Sequence, residues 1–360
     1  MTSFRALSIG SWLLASVAFA QPAAPSMKVM AYNVENLFDT IDSPDTEDQE
    51  FTPTGKQKWV ESVLKDKIRN LSEIISAENP DILGVTEVEN QAMLERLNTE
   101  GLKGAYQTVI AGPSDDARGI RCGVMSKYPV ESTRSHRVWK DTWKDGSGKV
   151  TKTRDILEVT LRTGASGEAG LVTVLVNHWP SRGGGPIRET YRKEVAQEME
   201  KIVAEIERAN PGRLVLSVGD FNDELKDPVF TQTLRLVDKA SDLFEAGPGS
   251  FLALDKALED LPPEQGGTFF FKRDGVWNNL DHMLYSAGAD LAAGRVPGFR
   301  YRENSIKVVH SRFVEKGPKG AYPMGCELFT PPGARPGKPR TTCPNGASDH
   351  FPVSAVFDLK

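Results

Sequence analysis

Apolar residues recur at three- and four-residue steps over residues 56–78, where Trp59, Val63, Leu64, Ile68, Leu71 and Ile75 form one stripe that Pro80 closes. That period predicts an amphipathic helix. A second long helix is predicted over 187–209 and a short one over 91–98. Apolar runs of strand length lie at 28–32, 81–86, 106–110, 120–126, 156–162, 171–177, 213–218, 280–286 and 352–358. A Gly/Ser turn at 163–170 joins the strands at 156–162 and 171–177, and Gly/Pro-rich loops separate the last two strands. No internal repeat and no linker-like stretch interrupts this alternation. The pattern predicts one α/β domain over 27–360, preceded by a short linker at 21–26.

The first 20 residues fall outside that pattern. Arg5 precedes an apolar run that ends Ala18-Phe19-Ala20 before Gln21. A positive start, a short apolar core and an A-x-A end predict a secretory signal peptide, and its Ala-rich character suits a bacterial periplasmic or secreted protein. The run from Gly10 to Ala20 is far short of the ~20 apolar residues needed to span a bilayer, so no membrane insertion is expected after cleavage. Export permits disulfides. Cys326 and Cys343 flank a Pro/Gly-rich loop, and a bridge between them would contribute on the order of 3 kcal/mol. Cys122 sits in a short apolar run and reads as a small core residue.

Composition excludes whole classes. The chain has 39% apolar and 26% charged residues, which excludes a disordered or collagen-like polymer. Its formal net charge is −5, which excludes a uniformly basic nucleic-acid coat but not a local phosphate-binding surface.

The informative polar residues sit at strand ends. Four predicted strands run into chemistry, at Asn33, Glu87, Asn177-His178 and Gly219-Asp220-Phe221-Asn222. Two others begin with it, at Asp281-His282 and Ser348-Asp349-His350. In a sheet with antiparallel strands, the C-terminal ends of some share a rim with the N-terminal ends of others. One rim could then gather Asn33, Glu87, His178, Asp220, Asn222, Asp281, Asp349 and His350. Crowded carboxylates are costly without a cation or shared protons, so the set predicts a divalent metal. Oxygen-rich ligands without a Cys cluster suit Mg2+, with Mn2+ or Ca2+ as alternatives, rather than zinc. Two carboxamides and two imidazoles beside such an ion suit phosphoryl chemistry: amides donate to non-bridging oxygens, and an imidazole can take a proton from water. Taken singly, His178 is also readable as a strand-end histidine, Asp220 as a turn former and Asn222 as a helix cap. The ordered set is what carries the reading.

That order, with Gly-Asp-Phe-Asn at 219–222 and Ser-Asp-His at 348–350, resembles the endonuclease/exonuclease/phosphatase superfamily over essentially the whole predicted domain. The resemblance implies a four-layer α/β sandwich of two packed sheets flanked by helices, and metal-dependent hydrolysis of phosphate esters. By position it implies Glu87 as principal metal ligand, Asp349 as a late carboxylate near the metal, and Glu35 where some relatives place a second acidic ligand. It implies His350 as general base oriented by Asp281, and Asp220 and Asn222 as the pair serving nucleophile, leaving group and phosphate. His178 and Asn33 match donors to phosphate oxygens. Relatives differ on whether Asp220 or the histidine activates water. Arg154 is the candidate for a further phosphate-binding cation, with Arg118 and Arg121 behind it; Arg154 reads equally as a strand-edge arginine in a surface pair.

Substrate choice rests on the surround. Residues 132–154 carry seven Lys/Arg and two Asp, interleaved with Trp139 and Trp143, and residues 295–340 carry ten Lys/Arg and three Glu. Basic segments with aromatics suit a nucleic acid, although both also read as solvated loops. The expectation is a secreted endonuclease cleaving DNA. The alternatives are a phosphomonoesterase or phospholipid phosphodiesterase of the same superfamily and, from another class, a non-catalytic nucleic-acid-binding protein.

Overall fold

The computed structural model describes residues 25–164, 167–317, 320–329, 340–342 and 346–360; the predicted leader and Cys343 lie outside them. Two seven-stranded sheets pack face to face. The first runs in the order β14 (Phe299–Tyr301), β20 (Val353–Leu359), β1 (Ser26–Leu37), β2 (Ile82–Val88), β4 (Arg121–Ser126), β3 (Thr108–Ala111), with β15 (Lys307–Val308) also on β20. The second runs β5 (Val130–His136), β6 (Ile156–Arg162), β7 (Leu171–His178), β8 (Leu214–Asp220), β13 (Asp281–Ala287), β10 (Ser250–Ala253), β9 (Arg235–Val237). Three small hairpins complete the described strands: β11 (Phe269–Phe271) with β12 (Val276–Asn278), β16 (Val314–Gly317) with β17 (Gly320–Pro323), and β18 (Glu327–Phe329) with β19 (Arg340–Thr342).

Burial explains the near-continuous apolar runs of the central strands. Val29, Ala31, Ile82 and Val124 of the first sheet meet Val174, Val176, Leu216, Val218 and Met283 of the second in the inner core. The alternate positions face outward. Met30, Tyr32, Leu83 and Val85 pack under α1 (Glu61–Glu78) and α2 (Gln91–Arg96), while Leu175, Val215 and Leu284 pack under α3 (Ile187–Ala209). Strands buried on both faces lose the polar alternation of a one-sided sheet. The result is helix, sheet, sheet, helix. Cys122 lies in the inner core as a free thiol, whereas Cys326 is disulfide-bonded.

The long helix α3 and strand β6 coincide with the predicted spans; α1 begins at Glu61 rather than at 56. Strand β5 escapes the pattern because its sequence, VESTRSH, is polar and mostly exposed along a sheet edge. Among the described residues, no helix is long and apolar enough to cross a membrane.

Candidate active site

Register brings the strand ends together. Strands β7 and β8 are parallel with His178 opposite Asp220, and β13 is antiparallel to β8 with Asp281 opposite the same aspartate. In the other sheet, β1 and β2 are parallel with Asn33 opposite Thr86, and β20 is antiparallel to β1. Both strands β1 and β2 lose regular register just past this point, between Asn33 and Leu37 and between Val85 and Val88. Glu35, Asn36 and Glu87 take positive φ angles of 46°, 51° and 64° there, which turn their side chains toward the rim. Such conformations cost of order 1–3 kcal/mol each and persist where the surroundings hold them. Gly219 (φ 126°) precedes Asp220 because a Cβ there would lie 2.1 Å from the Asn177 carbonyl oxygen.

Asp220 is the hub. Its Oδ2 accepts from Asn33 Nδ2 at 3.0 Å and lies 3.5 Å from His178 Nε2 and 4.0 Å from His350 Nε2. Its Oδ1 accepts the Asn222 backbone N–H at 2.9 Å. Burial pushes the Asp220 carboxyl up to about 7; His350 opposes this and Asp281 reinforces it. His350 Nδ1 is 2.6 Å from Asp281 Oδ2. Burial alone would lower the imidazole, but Asp281, Asp349 and Asp220 outweigh it and hold His350 well above the usual histidine range. His178 goes the other way: burial, then the charges of Arg154, Arg118 and His350, drive it well below that range, so it is a neutral ring. Two imidazoles on one rim are thereby set apart in charge. Ser348 ties the segment that enters β20 to the end of β1, donating from Oγ to the Asn33 carbonyl at 2.7 Å and accepting the His350 N–H at 3.1 Å.

Glu35, Glu87 and Asp349 form an acidic corner of the rim. Burial, the Asp349 charge and the Glu87 charge raise the Glu35 carboxyl to about 8, against the pull of Lys67. Glu87 Oε2 accepts the Asn36 N–H at 3.0 Å, and its Oε1 is 3.9 Å from His178 Nε2. Among the described residues, no three His, Cys, Asp or Glu side chains close on a common point. The donor set still fits a hard divalent cation. It is all oxygen, and the mutual cost written into Glu35 is the cost a cation between carboxylates removes.

All ten sequence-predicted residues fall on or beside this rim, but several donors are already engaged. Asn33 donates to Asp220, and Asn222 Nδ2 donates to the Trp179 carbonyl at 3.1 Å. Arg154 is buried, with Nη1 on Asp116 at 3.1 Å and Nη2 on the Trp179 carbonyl at 2.9 Å. Arg118 faces outward, its side chain 38% exposed, with Nη1 3.1 Å from Asn36 Oδ1 and Nε 3.8 Å from Asp116 Oδ1. It lies, with Arg154, Arg121, Lys149 and Lys152, in the wall of a cleft of about 940 Å3 that also carries five acidic residues, Asp45, Glu47, Asp115, Asp116 and Asp145.

The expected aromatic platform does not form. Trp139 and Trp143 are buried, Trp143 stacked on Tyr191 at 4.3 Å and Trp139 covered by the Arg137 guanidinium at 3.6 Å. The basic stretch 295–340 also spends its described charge locally. Arg295 pairs with Asp290, Arg302 with Asp358 and Arg312 with Glu73, and residues 330–339 lie outside the described residues.

Lys67 was absent from the sequence-derived set. Its ammonium, on the buried face of α1, is 3.5 Å from Glu35 Oε2 and 2.9 Å from the Ala347 carbonyl oxygen. The signal was there: a lysine at the fourth position after Val63 and the third after Leu64 stands inside the apolar stripe.

Solved structures share the architecture. A protein of the endonuclease/exonuclease/phosphatase family from Bacteroides thetaiotaomicron is 16% identical, with a TM-score of 0.55 over 94% of this chain and 99% of that one. Truncated Caenorhabditis elegans TDP2 is 15% identical, with a TM-score of 0.52 over 92% and 97%. D. rerio TDP2, solved complexed with single strand DNA product, is 13% identical, with a TM-score of 0.53 over 92% and 99%. At these identities the likeness shows the fold, the expected four-layer sandwich. No curated protein matches the chain. The model of the Endonuclease/Exonuclease/phosphatase family matches residues 28–358. The chain therefore belongs to that family of metal-dependent phosphate-ester hydrolases.

Proposed function

We propose that this protein is an exported phosphodiesterase that cleaves DNA by water attack on a backbone phosphate. The observation that carries the chemistry is the arrangement around Asp220, where a carboxyl raised to about 7 stands between a neutral His178 and a positively charged His350. A base with a pKa near the working pH is suited to take the proton of an attacking water, and Asp220 meets that requirement. Asn33 and the Asn222 backbone hold its two oxygens in place. His350, fixed by Asp281, presents its Nε2–H toward the phosphate, and the neutral His178 donates from the opposite side. Glu87 and Asp349, with Glu35 beside them, would hold a divalent ion, which when bound would supply positive charge against that developing on the phosphate.

DNA is favoured by the cleft next to this rim, where Arg118 and Lys149 are exposed although each has a carboxylate neighbour, Asp116 and Glu47, and by the DNA product carried by one structural neighbour. The deciding experiment incubates the mature protein and Mg2+ with plasmid, single-stranded DNA, RNA, sphingomyelin, inositol phosphates and a small chromogenic phosphodiester, each with and without chelator. Chelator-sensitive DNA cleavage is expected, and preference for sphingomyelin or inositol phosphates would overturn the DNA assignment.

A further inference from the structure

A lysine whose side chain is 1% exposed stands beside the acidic corner, and nothing in the hydrolytic scheme uses it. Lys67 Nζ lies 3.5 Å from Glu35 Oε2, 2.9 Å from the Ala347 carbonyl oxygen and 3.9 Å from Cys326 Sγ. A carboxylate, a carbonyl and a sulfur around one buried positive charge make a cation-shaped environment. The chain built it deliberately tight. Glu35 Oε2 also accepts the Cys326 N–H at 3.2 Å, and a Cβ on Gly325 would lie 2.3 Å from both Glu35 carboxylate oxygens. A side chain at position 325 would therefore have to displace the Glu35 carboxylate. Ala347 directly precedes Ser348-Asp349-His350, so one ammonium joins the end of β1, helix α1 and the segment that enters β20.

We propose that Lys67 is a built-in cation occupying the position beside Glu35 that a second metal ion would otherwise take, so that this centre holds a single divalent ion. The inference rests on the metal-dependent reading above. Lys67 pairs with Glu35 and its charge also reaches Asp349, while Glu87 and Asp349 press on Glu35 from the rest of the corner. One divalent ion balances that set. A second would leave the corner with surplus positive charge and would have to share Glu35 and the Ala347 carbonyl with an ammonium already seated on them. Uncompensated charge of either sign is disfavoured beside so buried a lysine, even though Asp349 on the outer side reaches solvent. The centre thus differs in kind from two-metal phosphoryl-transfer sites, in which paired ions clamp the attacking and leaving oxygens.

The test is manganese titration of the mature protein, with bound Mn2+ counted by electron paramagnetic resonance. The wild-type chain is expected to bind one ion, with an uncoupled spectrum. Lys67→Met, which keeps length and removes charge, is expected to bind a second, weaker ion and to show the exchange-coupled spectrum of a pair. Lys67→Gln, which retains a donor for the Ala347 carbonyl, serves the same purpose if the methionine variant does not fold. Two ions in the wild type, or one ion at unchanged affinity in a folded variant, would overturn the inference while leaving the metal-dependent reading intact. If neither variant folds, the wild-type count decides. No manganese bound to the wild type would remove the metal reading and this inference together.

Discussion

The Nδ1 of His350 lies 2.6 Å from Oδ2 of Asp281, across 69 positions of chain. This contact fixes the ring plane and leaves Nε2 facing Asp220 and Asp349, each at 4.0 Å. It also supplies the negative charge that holds the imidazole protonated. Asp281→Asn keeps the shape and removes that charge, so turnover of a small phosphodiester is expected to fall by about 10²–10⁴-fold, and His350→Ala by at least as much. Circular dichroism and thermal melting should show both variants folded. Near-normal turnover by folded His350→Ala would remove it from the mechanism.

Glu87 sits at a strained backbone position and points into the acidic corner. Glu87→Gln retains an acceptor for the Asn36 N–H while losing the charge. Calorimetric titration should show metal affinity weakened by more than tenfold, and chelation of the wild-type enzyme should abolish hydrolysis that Mg2+ or Mn2+ restores. Full activity in excess chelator would sink the metal assignment.

Arg118 and Arg154 are separable by their exposure. The exposed Arg118 should contact substrate phosphate directly, so Arg118→Ala should raise KM for DNA several-fold and lower the salt dependence of binding by roughly 0.7–0.9 log–log units, the contribution of one phosphate. Lys140, already paired with Glu194, should give a near-neutral Lys140→Ala variant. An Arg118→Ala enzyme with unchanged KM and unchanged salt slope would place the phosphate contact elsewhere.

Glu207 provides a pH test away from the active site. It is buried, accepts the Gly249 N–H at 2.7 Å and is bonded by Ser286 Oγ; burial raises its carboxyl above the ordinary range. The folded state therefore binds this proton more tightly than the unfolded chain does. The associated stability is fully present below the unfolded pKa and is lost as pH rises through the raised folded value. Glu207→Gln removes the titration, so its melting temperature should fall less than the wild type's between pH 5 and 8. Parallel curves for the two proteins would show that Glu207 does not titrate in that window.

Maturation is testable by intact mass. Cleavage after Ala20 predicts a protein beginning at Gln21. Cys326 is bridged, whereas Cys122 is a buried free thiol that burial pushes up to about 12. Alkylation of the native protein should modify neither, and alkylation after unfolding without reductant should add one label. A mass retaining residues 1–20 after export would remove the signal-peptide assignment.

Local chemistry settled a good deal of this molecule before any folding was considered. Period alone marks α1 and α3, because a helix buries one stripe, and unbroken apolar runs mark the central strands, because both their faces are covered. Polar residues at the ends of such strands are conspicuous for the same reason, and this is why Glu87, His178, Asp220, Asp281 and His350 could be named. Pairings are another matter. Ser348 meets the Asn33 carbonyl across 315 residues, and no local spacing encodes a contact made by strand order and register. The charges of the two rim histidines also diverge only in three dimensions, since burial and neighbouring ions set them. Trp139 and Trp143 look like exposed stacking residues beside lysines and arginines in the sequence; packing against Tyr191 and beneath Arg137 makes them core. Lys67 looks like a flaw in an apolar helix face until the fold sets Glu35 and the Ala347 carbonyl around it, because a buried ammonium becomes tolerable only when distant segments supply its partners.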